Sequence, residues 1–263
     1  MFTIENYNPF VFADVETMLR AKFANTAGMD NTVVVLGSSI SKITPEQFKQ
    51  QHLGMRLVVY NLEQLFKGSP WLNNKTMAWL AAADEVWDYD IENINFLYAN
   101  GIRASYVPME YTEELKFTST FTGQKDIDVL FYGAPTDRRL KILQSWMGMS
   151  QHHAVTMIAT GISGKLLEHY IYRSKIILNL HAFENAYRQE QVRMFVPVIN
   201  GSCVVSEQST RNEFSTAIVE STTRNLNSTL KTLLKSGDWE RVGMNAPDTY
   251  KIHCSNRFRS GLR

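Results

Sequence analysis

Cysteine is nearly absent. Cys203 and Cys254 are the whole complement, far apart and without metal-ligand spacing, which excludes a disulfide framework and a cysteine-based zinc site. A reducing cytoplasm is the expected setting. An excess of charge of either sign is also missing: 27 Lys and Arg stand against 26 Asp and Glu, for a net charge of +1. No whole-molecule field therefore draws the chain to nucleic acid or to an anionic membrane, and any such contact must be local. No apolar run approaches the roughly 20 residues that cross a bilayer. The opening MFTIENYNPF lacks the basic and apolar regions of a secretory signal. The expectation is a soluble chain with no transmembrane segment. Low-complexity tracts and short-period repeats are missing as well.

What the sequence does contain is an alternation. Short β-branched runs (TVVVLG at 32–37, RLVVYNL at 56–62, EVWDYD at 85–90, ASYVPM at 104–109) are separated by helical patterns, PEQFKQQH, WLNNKTMAWLAAA and IENINFLYANG. The last of these ends on Gly101, as a helix C-cap should. Such a βαβ series predicts a mostly parallel, doubly wound sheet. Residues 110–127, EYTEELKFTSTFTGQKDI, are polar and rich in Thr, Glu and Lys, which suits a linker. A second series follows: DVLFYGA, RRLKILQSWMG, HAVTMIATG, GKLLEHYIYRS, KIILNLH, a helix interrupted by Pro197, and CVVSE. At 263 residues each half can bury its own core. The fold class expected is α/β, with two Rossmann-like domains, 1–112 and 126–263, facing each other across a cleft and joined by a linker at 113–125.

In an open α/β sheet, ligands bind where strands end and helices begin. Gly133 falls at such a turn, with Arg138 and Arg139 opening the next helix, an arrangement suited to a diphosphate or to a tight turn with a basic face. His181 and Glu207 fall at strand ends, and Glu190 begins a helix at the same edge. Glu190 and Arg193 are three apart, so they either pair with each other or face a ligand. In the first half, Asn61, Glu63 and Gln64 lie just past a strand. Glu63 there is either a base that faces the ligand or a dipole partner at a helix start. Ser38, in the small-residue loop LGSS, leaves room for a ligand. Asp14 and Glu16 read equally as helix-start or site residues, while Met18, Leu19 and Phe23 read as packing. TGISGK lacks the spacing of a phosphate loop, and the adjacent His152 and His153 point to opposite faces of a strand, so they cannot share a metal.

Taken together, ADEVWDYDIENINFLYANGIRASYVPMEY, DVLFYGAPTDRR, LLEHYIYRSKIILNLHAFE and INGSCVVSE resemble a small glycosyltransferase of the GT-B architecture, over about the last two thirds of the chain. The resemblance implies an N-terminal acceptor domain and a C-terminal donor domain that holds a nucleotide-sugar, UDP-linked by expectation, as co-substrate. It places Gly133 and Arg138 near the donor diphosphate, with His181, Glu190 and Arg193 near the sugar and ribose; Glu207, at the same edge, is a further donor-binding candidate. Ser38, Asn61, Glu63 and Gln64 would then face the acceptor hydroxyl, Glu63 as base. Many retaining members carry E-x7-E with its second Glu five residues before the glycine turn. Val196 occupies that place here, which leaves the stereochemical course open. No further cofactor and no metal is required on this reading, because Arg138 and a helix N-terminus can neutralise the diphosphate. YNLEQL resembles an element of short bacterial and phage transferases, some of which modify hydroxymethylated pyrimidines in DNA. Lys251, Arg257, Arg259 and Arg263 offer a local basic patch for such an acceptor, or form a solvated tail. A surface polysaccharide is another acceptor class, and a noncatalytic nucleotide-binding module of the same fold is the rival from outside enzymology.

Overall fold

The computed structural model describes residues 2–24, 26–118, 123–148, 154–184 and 188–259. The chain divides into two compact units, one reaching Met109 and the other running from Glu110 to Arg259.

The first unit holds β1 (Thr3–Asn6), α1 (Pro9–Phe23), β2 (Thr32–Leu36), α2 (Pro45–Gln51), β3 (Arg56–Asn61), α3 (Asn74–Ala82), β4 (Glu85–Asp88), α4 (Ile91–Ala99) and β5 (Ala104–Tyr106). Its strands pair in parallel in the order β1-β2-β3-β4-β5. β2 is buried at every residue and β3 at all but its first, as expected of parallel strands covered on both faces. Val33, Val35, Leu57, Val59, Trp79 and Leu97 form the core. Local chemistry sets the helix starts. Thr44 and Gln47 close a capping box at α2, Asn73 caps α3 and Asp90 caps α4. Beyond α4, Gly101 takes the left-handed conformation (φ +78°) and the Ile102 amide bonds back to Leu97, the C-cap that the sequence predicts.

The second unit holds β6 (Ile127–Tyr132), α5 (Asp137–Met147), β7 (Thr156–Ala159), α6 (Gly164–Arg173), β8 (Ser174–Asn179), α7 (Gln191–Ile199), β9 (Cys203–Glu207), β10 (Val219–Ser221), α8 (Leu226–Ser236) and α9 (Asp238–Arg259). The parallel order is β10-β9-β8-β6-β7. The chain steps outward from β6 to β7 and then returns to the other side of β6 as β8, so winding reverses between β6 and β8. That reversal is a switch point, where an open sheet leaves a crevice beyond its carboxyl ends. The strands of the first sheet follow chain order with no reversal.

Residues 113–118, the start of the expected linker, are ordered within the second unit. Glu113–Leu115 form a 3-10 turn with Leu115 buried, and Asn200 clamps the segment by accepting from the Phe117 amide (2.8 Å) and donating to the Leu115 carbonyl (3.0 Å). α9 packs against the turn that enters β9. A Cβ built at Gly243 would lie 2.5 Å from the Gly201 carbonyl and 3.0 Å from the Cys203 amide. Backbone cannot yield as a flexible side chain does, so Gly243→Ala is expected to cost about 1–3 kcal/mol. Thermal melting checks this, with a fall of about 2–12 °C expected.

Candidate functional site at the carboxyl edge of the second sheet

Six sequence-predicted residues meet at the switch point. β6 ends at Tyr132, and Gly133 follows at φ +130°. The positive φ favours glycine, and the absence of a side chain leaves the space in which the Arg193 guanidinium lies, its carbon 2.8 Å from where a Cβ would fall. Tyr132 Oη donates to the Arg193 carbonyl, which fixes the first turn of α7 over the end of β6.

Arg138 and Arg139 leave the first turn of α5 in different directions. Arg138 Nη1 and Nη2 make a bidentate pair with Glu207 at 2.7 and 2.8 Å, Nη1 also donates to the His181 carbonyl, and Nε pairs with Glu184 at 3.3 Å. Glu207 is buried, with both oxygens committed: one accepts from Arg138 and the His181 amide, the other from Arg138 and Thr223. Burial opposes its ionisation, but Arg138, Thr223 and the His181 amide outweigh burial and hold its pKa below the ordinary range. Its carboxylate thus meets protein groups that fix Arg138. His181 is buried as well, with Nε2 3.1 Å from the Gln208 carbonyl. That carbonyl only accepts, which places the proton on Nε2.

Arg139 is 2% exposed. It donates to the Leu180 and Ala134 carbonyls, both at 3.0 Å, lies over the Phe131 ring, and pairs with Glu190. Glu190, the N-cap residue of α7, also pairs with Arg193. Burial works against the Glu190 carboxylate, yet Arg193, Arg139 and His181 hold its pKa below the ordinary range. The pairing expected from the i, i+3 spacing is therefore present, and it brings two guanidinium groups to one carboxylate. Arg193 is the more exposed of these, at 19% of its side chain against 2% for Arg139, and its guanidinium lies against Gly133. Arg139 had a sequence signal. It shares the buried face of α5 with Leu143 and Trp146 at i, i+4 and i+7, and a charge on an apolar stripe needs a buried partner.

The residues expected on the acceptor side gather at the carboxyl edge of the first sheet. A buried network of Asp88, Asn61 and Asn93 pins the loop after β3. Asn61 and Asn93 donate to the Glu63 carbonyl at 2.9 and 2.8 Å, Asn93 accepts from the Leu65 amide at 2.8 Å, and both asparagines donate to Asp88. Burial pushes the Asp88 carboxyl well above its ordinary pKa, against the opposing donors Asn61, the Asp90 amide and Asn93. No helix starts at Glu63: the chain runs as loop from Leu62 to Asn73, so its reading as a helix-dipole partner is overturned. Glu63 is part-exposed, whereas Gln64 is buried with its side-chain oxygen unbonded among the described residues. Ser38 is buried at the start of a 3-10 turn after Gly37. Glu16 bonds Asn6 and Arg20, as a helix residue would.

Two Asp-x-Asp triplets, Asp88–Asp90 and Asp126–Asp128, have a spacing at which carboxylates can share a cation. Here Asp88 serves the network, Asp90 caps α4, Asp126 pairs with Arg173 and Asp128 with Lys175. No group of three or more His, Cys, Asp or Glu able to hold a metal occurs among the described residues. No helix among them is long and apolar enough to cross a membrane. His152 and His153 lie outside the described residues. The C-terminal basic patch is corrected. Arg257 is buried and bound to Glu213, and Lys251 pairs with Glu113. Arg263 and the side chain of Arg259 lie outside the described residues.

No protein-family model matches the sequence, and no characterised protein matches it by sequence. Solved structures do match. Sucrose-phosphate synthase from Thermosynechococcus elongatus superposes at TM-score 0.54 with 12% identity, over 92% of this chain and 74% of that one. TarM gives 0.55 with 10% identity, over 86% and 52%, so the chain spans about half of TarM's length. A point mutant of S. aureus TarM, solved in complex with UDP, gives 0.54 with 9% identity over 88% and 55%. AviGT4, a glycosyltransferase involved in avilamycin A biosynthesis, gives 0.53 with 10% identity over 99% and 98%. Identities this low speak to architecture, and two parallel five-stranded sheets with interleaved helices are that architecture: the chain has the GT-B glycosyltransferase fold.

Proposed function

We propose that the protein is a nucleotide-sugar glycosyltransferase whose donor, a UDP-sugar by preference, binds at the carboxyl edge of the second sheet. One observation carries this reading: Arg193 presents its guanidinium beside the side-chain-free turn at Gly133, at the sheet's switch point. A diphosphate needs a backbone it can approach and a cation it can pair with, and a neighbour of the same fold holds UDP. Arg138, fixed by Glu207, adds charge at the same edge. Stabilising the leaving diphosphate is then the main catalytic contribution of this unit. The first unit supplies the acceptor hydroxyl's surroundings, with Glu63 as general base on a loop that the Asp88 network holds still. The acceptor is a hydroxyl compound. A DNA acceptor has little to hold it at the described C-terminal residues, where Arg257 is buried against Glu213 and Lys251, though exposed, is paired with Glu113, since phosphate binding needs several accessible cations.

Isothermal calorimetry with UDP-sugars, followed by hydrolysis of the bound donor without acceptor, tests the assignment. Absence of binding by every nucleotide-sugar would overturn it, and binding without turnover would favour the noncatalytic module. Within this reading, Arg193→Ala is expected to weaken donor binding about tenfold or more, because a charge-assisted bond to a phosphate oxygen is worth roughly 1.5–3 kcal/mol. An unchanged dissociation constant with a lowered melting temperature would make Arg193 a partner of Glu190 only.

A further inference from the structure

Three cations and three carboxylates are paired at the carboxyl edge, and they are not equally committed. Arg138, Arg139 and Arg193 are set against Glu184, Glu190 and Glu207. Glu207 and Glu190 are 2% and 14% exposed at the side chain and each meets more than one protein donor. Glu184 is 75% exposed, and its ion pair is with Arg138 Nε alone. The Arg138 guanidinium is otherwise spent: Nη1 and Nη2 face Glu207 and the His181 carbonyl. Nε is buried and makes no hydrogen bond among the described residues; the carboxylate set against it at 3.3 Å is one that water reaches freely. A pair whose carboxylate is this exposed is screened by water and contributes less than the buried bidentate pair behind it.

We propose that Glu184 determines the charge specificity of this edge: its exposed carboxylate is the outer counter-charge of Arg138, set against the otherwise unbonded Nε, and an anionic ligand oxygen binds by taking that place. With Glu184 in position the three ion pairs balance. Once it is displaced, Arg138, Arg139 and Arg193 outnumber Glu190 and Glu207, and the edge carries the surplus positive charge that a diphosphate requires. A neutral ligand gains nothing from the exchange, so Glu184 discriminates against uncharged compounds. The identification of the anion as a donor diphosphate rests on the nucleotide-sugar reading; the exchange itself rests on the Arg138 geometry.

The test uses the full chain and inorganic pyrophosphate as probe, by isothermal calorimetry, with Glu184→Gln and Glu184→Ala. Glu240→Gln serves as a control for net charge, since Glu240 is exposed beside a cavity at the opposite, amino-terminal edge of the sheet. Both Glu184 variants are expected to bind pyrophosphate about two- to fivefold more tightly than the unmodified chain, with the control unchanged. Unchanged or weaker binding by the Glu184 variants overturns the inference, as does equal tightening in the control. UDP-glucose titrated in parallel separates the two ideas. Donor binding without a Glu184 effect leaves the nucleotide-sugar reading standing and removes this one. A Glu184 effect on pyrophosphate with no binding by any nucleotide-sugar does the reverse, and no binding of any probe removes both.

Discussion

Arg139→Met is expected to destabilise the second unit by about 3–5 kcal/mol, the cost of leaving one partner of a buried pair uncompensated. Arg139 is 2% exposed, and its removal strands the buried Leu180 carbonyl and takes from Glu190 one of its two guanidinium partners. Methionine fills much of the vacated space over Phe131, so lost packing is the smaller part. Thermal melting should show a fall of about 6–20 °C, and a midpoint within about 2 °C of the unmodified chain would show that the pair contributes little. A pH series adds an independent readout. The folded-state pKa of Glu190 is depressed, so its contribution is fully present above the unfolded glutamate pKa of about 4.3 and is lost as pH falls through the lower, folded value. Glu207 behaves in the same way. Acid destabilisation below about pH 4.3 should therefore be shallower in Arg139→Met than in the unmodified chain, because Glu190 titrates closer to its ordinary range once Arg139 is gone.

The same pair marks the border between what the sequence discloses and what it withholds. Strands such as TVVVL and helices such as IENINFLYA announce themselves through β-branched runs, caps and Gly101, because those signals act over a few residues. The convergence of Gly133, His181, Glu190 and Glu207 was legible too, since the first two and the last follow or end strands, Glu190 begins a helix, and strand ends and helix starts share one edge. Partner choice was not legible. Arg138 meets Glu207, and Arg139 meets Glu190, across long stretches of sequence, and only the return of β8 beside β6 brings them together. Residues 113–118 look like a linker because they are polar, yet Asn200 orders them through backbone groups that composition does not reveal. The C-terminal segment misled in the opposite way. Arg257 reads as part of a basic tail, but Ala246, Tyr250, Cys254 and Arg257 recur at helical spacing and are all buried, so the periodicity of α9 carried the better signal.

Glu63→Gln is expected to lower sugar transfer by roughly a hundredfold or more while donor affinity stays within a few-fold, if Glu63 is the general base proposed above. The substitution keeps the side chain's size and removes the basic oxygen. Its surroundings make the comparison clean, because the loop is held through the backbone: the Glu63 amide and carbonyl bond Asn61 and Asn93, and the Leu65 amide bonds Asn93. None of these bonds uses the Glu63 carboxylate, so the loop should keep its course in the variant. Thermal melting measured alongside separates a loss of stability from a loss of catalysis. Single-turnover rates measured beside donor affinity decide the matter. A hundredfold loss in rate with the donor bound normally assigns the proton to Glu63. Full retained transfer would remove the base from this loop, and a parallel loss of donor affinity would mean that Glu63 acts in binding and not in proton transfer.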